Sequence, residues 1–185
     1  MGARNAAPRA GSRMTSRPVD VQRLWAPWRS AFLTQPPPRR CVFCAARASR
    51  NDRAHHVIER GRHVFAILNL YPYSNGHTLI APARHVGSLE AMRTEEWIDM
   101  FHMAARMTRR LIRSLRAQGF NLGINLGRVA GAGIPGHVHL HLVPRWRGDS
   151  NFMPIIGKTR VMSQSLDEVY RLLTLTTERG THARR

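Results

Sequence analysis

Apolar positions along the chain follow two different repeats. From Gly136 to Trp146 the chain alternates Val138, Leu140 and Leu142 with His137, His139 and His141, a period of two. Successive side chains of an extended strand point to opposite faces, so the aliphatics form a core face and the imidazoles share the other. At a rise of roughly 3.3 Å per residue, neighbouring imidazoles on that face stand about 6–7 Å apart. Two shorter apolar runs, Val64-Phe65-Ala66-Ile67-Leu68 and His77-Thr78-Leu79-Ile80-Ala81, flank Tyr71-Pro72-Tyr73-Ser74-Asn75-Gly76. That interval is dense in turn formers, so the two runs predict a hairpin. Phe120 to Leu126 predicts a further strand, leading into the glycine-rich turn Gly127-Arg128-Val129-Ala130-Gly131-Ala132-Gly133.

Between these runs the period changes to that of a helix. Thr94-Glu95-Glu96 supplies a cap and acids for the positive end of the helix dipole. Trp97, Phe101, Ala104, Thr108, Leu111 and Leu115 then recur at alternating four and three spacing, predicting one buried stripe that ends at Gly119. Met100, Met103 and Met107 belong to core or interface, and Arg106, Arg109, Arg110, Arg113 and Arg116 to a solvated face. Ser165-Leu166-Asp167-Glu168 is a capping box opening a second amphipathic helix through Val169, Tyr170 and Leu173. The order strand, strand, long helix, strand, strand, helix predicts an α+β domain built on an antiparallel sheet.

The ends differ in character. Residues 1–18 are Arg, Ala, Gly, Ser and Pro without periodicity, an expected disordered basic tail. The folded domain is expected over 19–178, with 179–185 frayed. Leu24-Trp25-Ala26-Pro27-Trp28-Arg29 carries aromatics too large to leave in solvent, so it should pack on the domain or on a neighbouring subunit. Gln35 to Arg40, with three prolines, is a stiff connector.

Charge sharpens the picture only a little. The 29 Lys and Arg against 11 Asp and Glu give +18, and every basic residue but Lys158 is arginine. Such a balance favours a polyanionic partner, yet the arginines are spread over both ends and the helix faces. No apolar run reaches the length of a membrane span and no secretory leader is visible, so a cytoplasmic protein is expected.

Chemistry concentrates in the histidines and two cysteines. A lone strand histidine is ordinarily a satisfied polar residue, but three at strict alternation form a functional row. Imidazole can act there as nucleophile, proton donor or metal ligand. Cys41-Val42-Phe43-Cys44 is half of a zinc site lacking two ligands, or else a pair of free or redox-active thiols.

His-φ-His-φ-His-φ-φ followed by Pro144-Arg145 resembles the signature of the histidine triad family of nucleotide hydrolases and transferases. The wider match, with Leu24 to Arg29 and Gly148-Asp149-Ser150-Asn151-Phe152, is similar to the bacterial diadenosine tetraphosphate phosphorylase branch. The resemblance implies a sheet-joined homodimer and a zinc site completed by His85 and His137 beside Cys41 and Cys44. His55 and His56 are alternative ligands. It implies His139 as nucleophile, with His141, His137 and Asn125 assisting at the scissile phosphate. It also assigns Asn69 to the ribose and Leu68 and His77 to the base, against plainer readings as strand-end residues. Gly131 and Gly133 would offer backbone N–H groups to phosphate, while Arg145, Trp146 and Lys158, with Arg128 beside them, are expected near the polyphosphate. The implied reaction cleaves an adenosine polyphosphate with inorganic phosphate, or with water in a hydrolase. Two other classes make different forecasts. A nucleic-acid-binding domain needs aromatics interleaved with Arg, and only 7% of this chain is aromatic. A zinc hydrolase using the three histidines as ligands would lose its chemistry on chelation.

Overall fold

The structure, a computed structural model, describes residues 40–149 and 163–181, with side chains described as far as 175. The expected basic tail, the Leu24 to Arg29 segment and Lys158 lie outside the described residues. Five strands form one antiparallel sheet in the order β1-β2-β3-β5-β4: β1 (Val57–Arg60), β2 (Val64–Leu68), β3 (Thr78–Pro82), β4 (Gly119–Ile124) and β5 (Leu140–Arg145). Three helices accompany it among the described residues: α1 (Val42–Ala48), α2 (Thr94–Leu115) and α3 (Leu166–Thr181). The fold is α+β, as the sequence predicts.

The sheet buries both faces. Ala66, Leu68, Ile80, Leu140 and Leu142 pack under α2 and α3 together with Met100, Met103, Met107 and Leu111. On the opposite face Phe65, Ile67, Leu79 and Ala81 meet Phe43 and Ala46 of α1. β2 and β3 are buried along their whole length, which explains their unbroken apolar sequences. The β2–β3 hairpin pairs Leu68 with Thr78 and Val64 with Pro82. Gly76 in its loop has φ of 74°, and a Cβ there would come within 2.7 Å of Leu111 and Leu115, so the loop packs onto α2 only with glycine.

Helix α2 departs from the predicted stripe. Phe101 is 55% exposed, while the buried arc runs through Glu96, Met100, Met103, Ala104, Met107, Arg110 and Leu111. The methionines, not the aromatics, fill the sheet-facing side. Arg110, expected in solvent, is buried because its guanidinium reaches Glu59 Oε2 at 2.8 Å and Ile58 O at 3.4 Å. Glu96 is buried by the same logic, pairing with Arg84 at 2.8 Å and accepting the Arg93 N–H at 2.9 Å. The cap therefore falls at Arg93, one residue before Thr94, and the helix ends at Arg116 in the left-handed region (φ 55°), ahead of Gly119. Ser165 caps α3 as predicted, accepting the Glu168 N–H at 3.2 Å. No helix among the described residues is long and apolar enough to cross a membrane.

Candidate active site and metal centre

The histidine row begins before its strand does. β5 starts at Leu140, so only His141 lies in a regular strand; His139 immediately precedes it and His137 sits in a bend. The cause is a switch of backbone partners. Val138 N–H donates to Val86 O, not to a sheet strand, and His137 N–H closes a turn on Ile134 O. Alternation nevertheless persists: Val138, Leu140 and Leu142 are buried in the core beneath α2, and the imidazoles turn toward α1. His139 and His141 rings lie 4.9 Å apart, closer than an ideal strand would place them.

The hydrogen bonds fix the tautomers. His139 Nδ1 lies 2.8 Å from the His137 carbonyl, which can only accept, so Nδ1 carries the proton and Nε2 keeps its lone pair. Burial depresses the His139 pKa, only partly offset by that bond, so the ring stays neutral near pH 7. A second chain runs from Tyr73, whose N–H donates to His77 Nδ1 at 3.1 Å. His77 Nε2 must then carry hydrogen, and it meets His141 Nδ1 at 3.0 Å. His141 accepts there and bears its own hydrogen on Nε2. Asn69 Nδ2 also approaches His77 Nδ1, at 3.2 Å, and Asn69 Oδ1 accepts the Tyr71 N–H. The two rings thus differ: His139 presents an acceptor and His141 a donor.

Both histidines open into a cleft of about 310 Å³ between α1, the end of β2 and the turn before β5. Val42, Phe43, Ile67 and Leu68 give it an apolar wall; Asn69, Tyr71, Tyr73 and His55 give it polar groups. Phe43 stands against the triad, its ring 4.9 Å from that of His139 and 5.0 Å from that of His137. An aromatic against two imidazoles excludes water from them.

The sequence-selected residues divide in this geometry. Leu68, Asn69, Gly131, Gly133, His139 and His141 line the cleft. His77 is wholly buried beneath His141 and reaches the cleft only through that ring. Asn125 follows Ile124, the partner of Leu140, at the end of β4 nearest His139. Gly131 has φ of 85° as a turn glycine should, but its N–H donates to Arg128 O at 3.0 Å and is committed within the turn. Arg145 and Trp146 stand elsewhere. Arg145 is engaged by Asp149 at 2.6 Å and Asn121 at 2.9 Å, and Trp146 packs on the core with its indole donating to Leu115 O. Phe43, Tyr73, Arg40 and Ile134 line the cleft without having been singled out. Phe43 had one legible signal, a large aromatic inside a Cys-x-x-Cys.

Beside the triad, Cys41, Cys44, His85 and His137 gather their ligand atoms within 4.8 Å of one another. Cys41 Sγ is 3.3 Å from His137 Nδ1, Cys44 Sγ is 3.3 Å from His85 Nδ1, and Cys44 Sγ is 3.8 Å from His137 Nδ1. Tetrahedral zinc with bonds of roughly 2.0–2.3 Å separates its ligand atoms by roughly 3.3–3.8 Å, so the spacing fits. The start of α1 brings the two cysteines to one side, since positions three apart share a helix face. His137 Nε2 lies 3.0 Å from Pro82 O and donates to it, turning the unprotonated Nδ1 toward the thiols. Burial pushes His137 down to about 4 and pushes the Cys44 thiol up, so imidazole is ready to ligate and the thiol would ionise upon meeting a cation. The loops carrying His85 and His137 meet at glycines: a Cβ on Gly87 would lie 3.2–3.4 Å from the backbone of Gly136.

Comparison with known proteins places this geometry among relatives. The family model for the HIT domain matches residues 50–148. An AP-4-A phosphorylase of Mycobacterium tuberculosis is 38% identical over 161 residues, covering 83% of each chain. An uncharacterised HIT-like protein of Methanocaldococcus jannaschii is 31% identical over 71% of this chain and 96% of its own. Among solved structures, a zinc-bound histidine triad family protein from Mycobacterium smegmatis superposes with a TM-score of 0.63 at 30% identity, covering 77% of this chain and 96% of that one. With the histidine row, the sheet order and the matched family model in agreement, the chain belongs to the HIT domain family.

Proposed function

We propose that this protein is a nucleotidyl transferase that cleaves diadenosine tetraphosphate with inorganic phosphate, giving ATP and ADP. The observation that carries the reading is the His139 tautomer: a neutral imidazole whose free Nε2 lone pair belongs to a ring lining the cleft. That lone pair forms a bond to the α-phosphorus as the bond to the bridging oxygen breaks, and ATP leaves with the electron pair. Phosphate oxygen then attacks the same phosphorus, the N–P bond breaks, and ADP is released with His139 neutral again. Two modest displacements replace one hard one. His141, holding hydrogen on Nε2 because His77 donates to its Nδ1, gives a hydrogen bond to a phosphate oxygen as charge shifts. Asn69, which lines the cleft, would meet the ribose hydroxyls, and the apolar wall of Val42, Phe43, Ile67 and Leu68 would receive the base. The similar AP-4-A phosphorylase supports the choice of substrate.

Cys41, Cys44, His85 and His137 would hold zinc, which supplies a structural cross-link between α1 and the chain entering β5. The exposed edge strand β4, with Leu122 at 48% exposure, is the surface through which two sheets would join in a homodimer. Incubation with diadenosine tetraphosphate, with and without phosphate, tests the reading. ADP and ATP should appear in proportion to added phosphate. Production of AMP regardless of phosphate would make the protein a hydrolase instead, and His139→Ala must abolish turnover.

A further inference from the structure

We infer that Arg40 forms the anion subsite that receives the leaving polyphosphate in the first step and the acceptor phosphate in the second. This rests on the transferase reading above and adds the residue that selects phosphate over water. Attack by His139 expels the leaving group from the side of phosphorus opposite Nε2, and the acceptor must enter on that same side to expel Nε2. One subsite therefore serves both anions.

The structure narrows what can supply its positive charge. Among the described residues no carboxylate lines the cleft, and Arg40 is the sole arginine or lysine that does. Three arginines outside the cleft are already engaged: Arg145 by Asp149, Arg60 by Asp52 and Arg84 by Glu96. The glycine turn offers less than its composition suggests, because the Gly131 and Ala132 N–H groups are spent on Arg128 O and Gly127 O. Arg40 stands at the cleft rim with no ion-pair partner among the described residues, exposed, and directly precedes Cys41, which the cluster with His137 anchors. His55 lines the same cleft and adds a donor. Guanidinium suits this task because its planar fork takes two phosphate oxygens at once.

The test compares wild type, Arg40→Ala and Arg40→Lys at fixed dinucleotide, titrating inorganic phosphate and measuring ADP and AMP separately. Melting temperatures check that the exposed substitution leaves the fold intact. Arg40→Ala should raise the KM for phosphate about tenfold or more and move product from ADP toward AMP, with Arg40→Lys recovering part of the loss. Wild-type protein that makes no ADP from added phosphate defeats the transferase reading itself. Wild type that makes ADP, with Arg40→Ala giving the same phosphate KM and the same ADP to AMP ratio, overturns the assignment of Arg40 alone.

Discussion

Replacing His77 separates what the buried imidazole does from what the cleft does. His77 is wholly buried, accepts the Tyr73 N–H at 3.1 Å and donates to His141 Nδ1 at 3.0 Å, yet it does not line the cleft. His77→Ala removes one acceptor and one donor from buried partners, each loss costing roughly 1–3 kcal/mol, and opens a cavity besides. Stability should fall by about 3–5 kcal/mol on those grounds. His141 would then be free to place its proton on either nitrogen, so the donor facing substrate is lost for part of the time. The expected kinetic signature is a kcat reduced by about ten- to a hundredfold, with KM for the dinucleotide nearly unchanged. His77→Gln keeps an amide N–H that can reach His141 and should recover part of kcat without restoring full stability. Steady-state kinetics of the three proteins, with urea unfolding alongside, decide the matter. A raised KM at constant kcat would show that His77 acts on substrate directly, and the tautomer argument would be wrong.

Other consequences are accessible to simple assays. His137 is pushed down to about 4 from an ordinary 6.5, so the unfolded chain takes up a proton in that interval that the native state refuses. Its contribution is intact above pH 6.5 and is lost as pH falls toward 4, up to about 3 kcal/mol, which urea midpoints across that range should show for wild type and much less for His137→Gln. Because His139 is likewise depressed by burial, kcat/KM should hold to lower pH than free imidazole would allow, and a fall centred above 6.5 would contradict its neutral nucleophilic role. Brief chelation should lower the melting temperature before it lowers the initial rate; immediate loss of rate at unchanged stability would favour metal chemistry. Ser74→Ala removes the buried 2.7 Å bond from Ser74 Oγ to Pro144 O and should cost about 1–2 kcal/mol in urea unfolding.

The elements legible in the sequence were those whose period is set by a single core face. The alternation through Val138, Leu140 and Leu142, the β2–β3 hairpin and the capped start of α3 all read directly. β1 and α1 did not. Val57–Arg60 is four residues, two of them charged, and its acid is consumed by Arg106 and Arg110 from a helix far along the chain. Seven-residue α1 has no apolar stripe of its own and is held at its C-terminal end by Arg60, whose guanidinium donates to Ala46, Arg47 and Ser49 carbonyls. Neither dependence has a local signature. The burial of Arg110 and the exposure of Phe101 arise the same way, since a partner decides which side of α2 faces inward. At the site, the Cys/His cluster was readable by family resemblance. The carbonyl that sets the His139 tautomer was not, because it belongs to a bend that the strand pattern concealed.

Position 87 offers a lever on the paired loops that needs no change to any ligand. Its backbone is not in a region reserved for glycine, so alanine there is conformationally ordinary and meets resistance from the Gly136 backbone opposite. The methyl group would act as a shim of a few tenths of an ångström between His85 and His137. A graded series at this site, from alanine to larger residues, would tune how tightly the four-residue cage closes while all four of its ligand residues are kept.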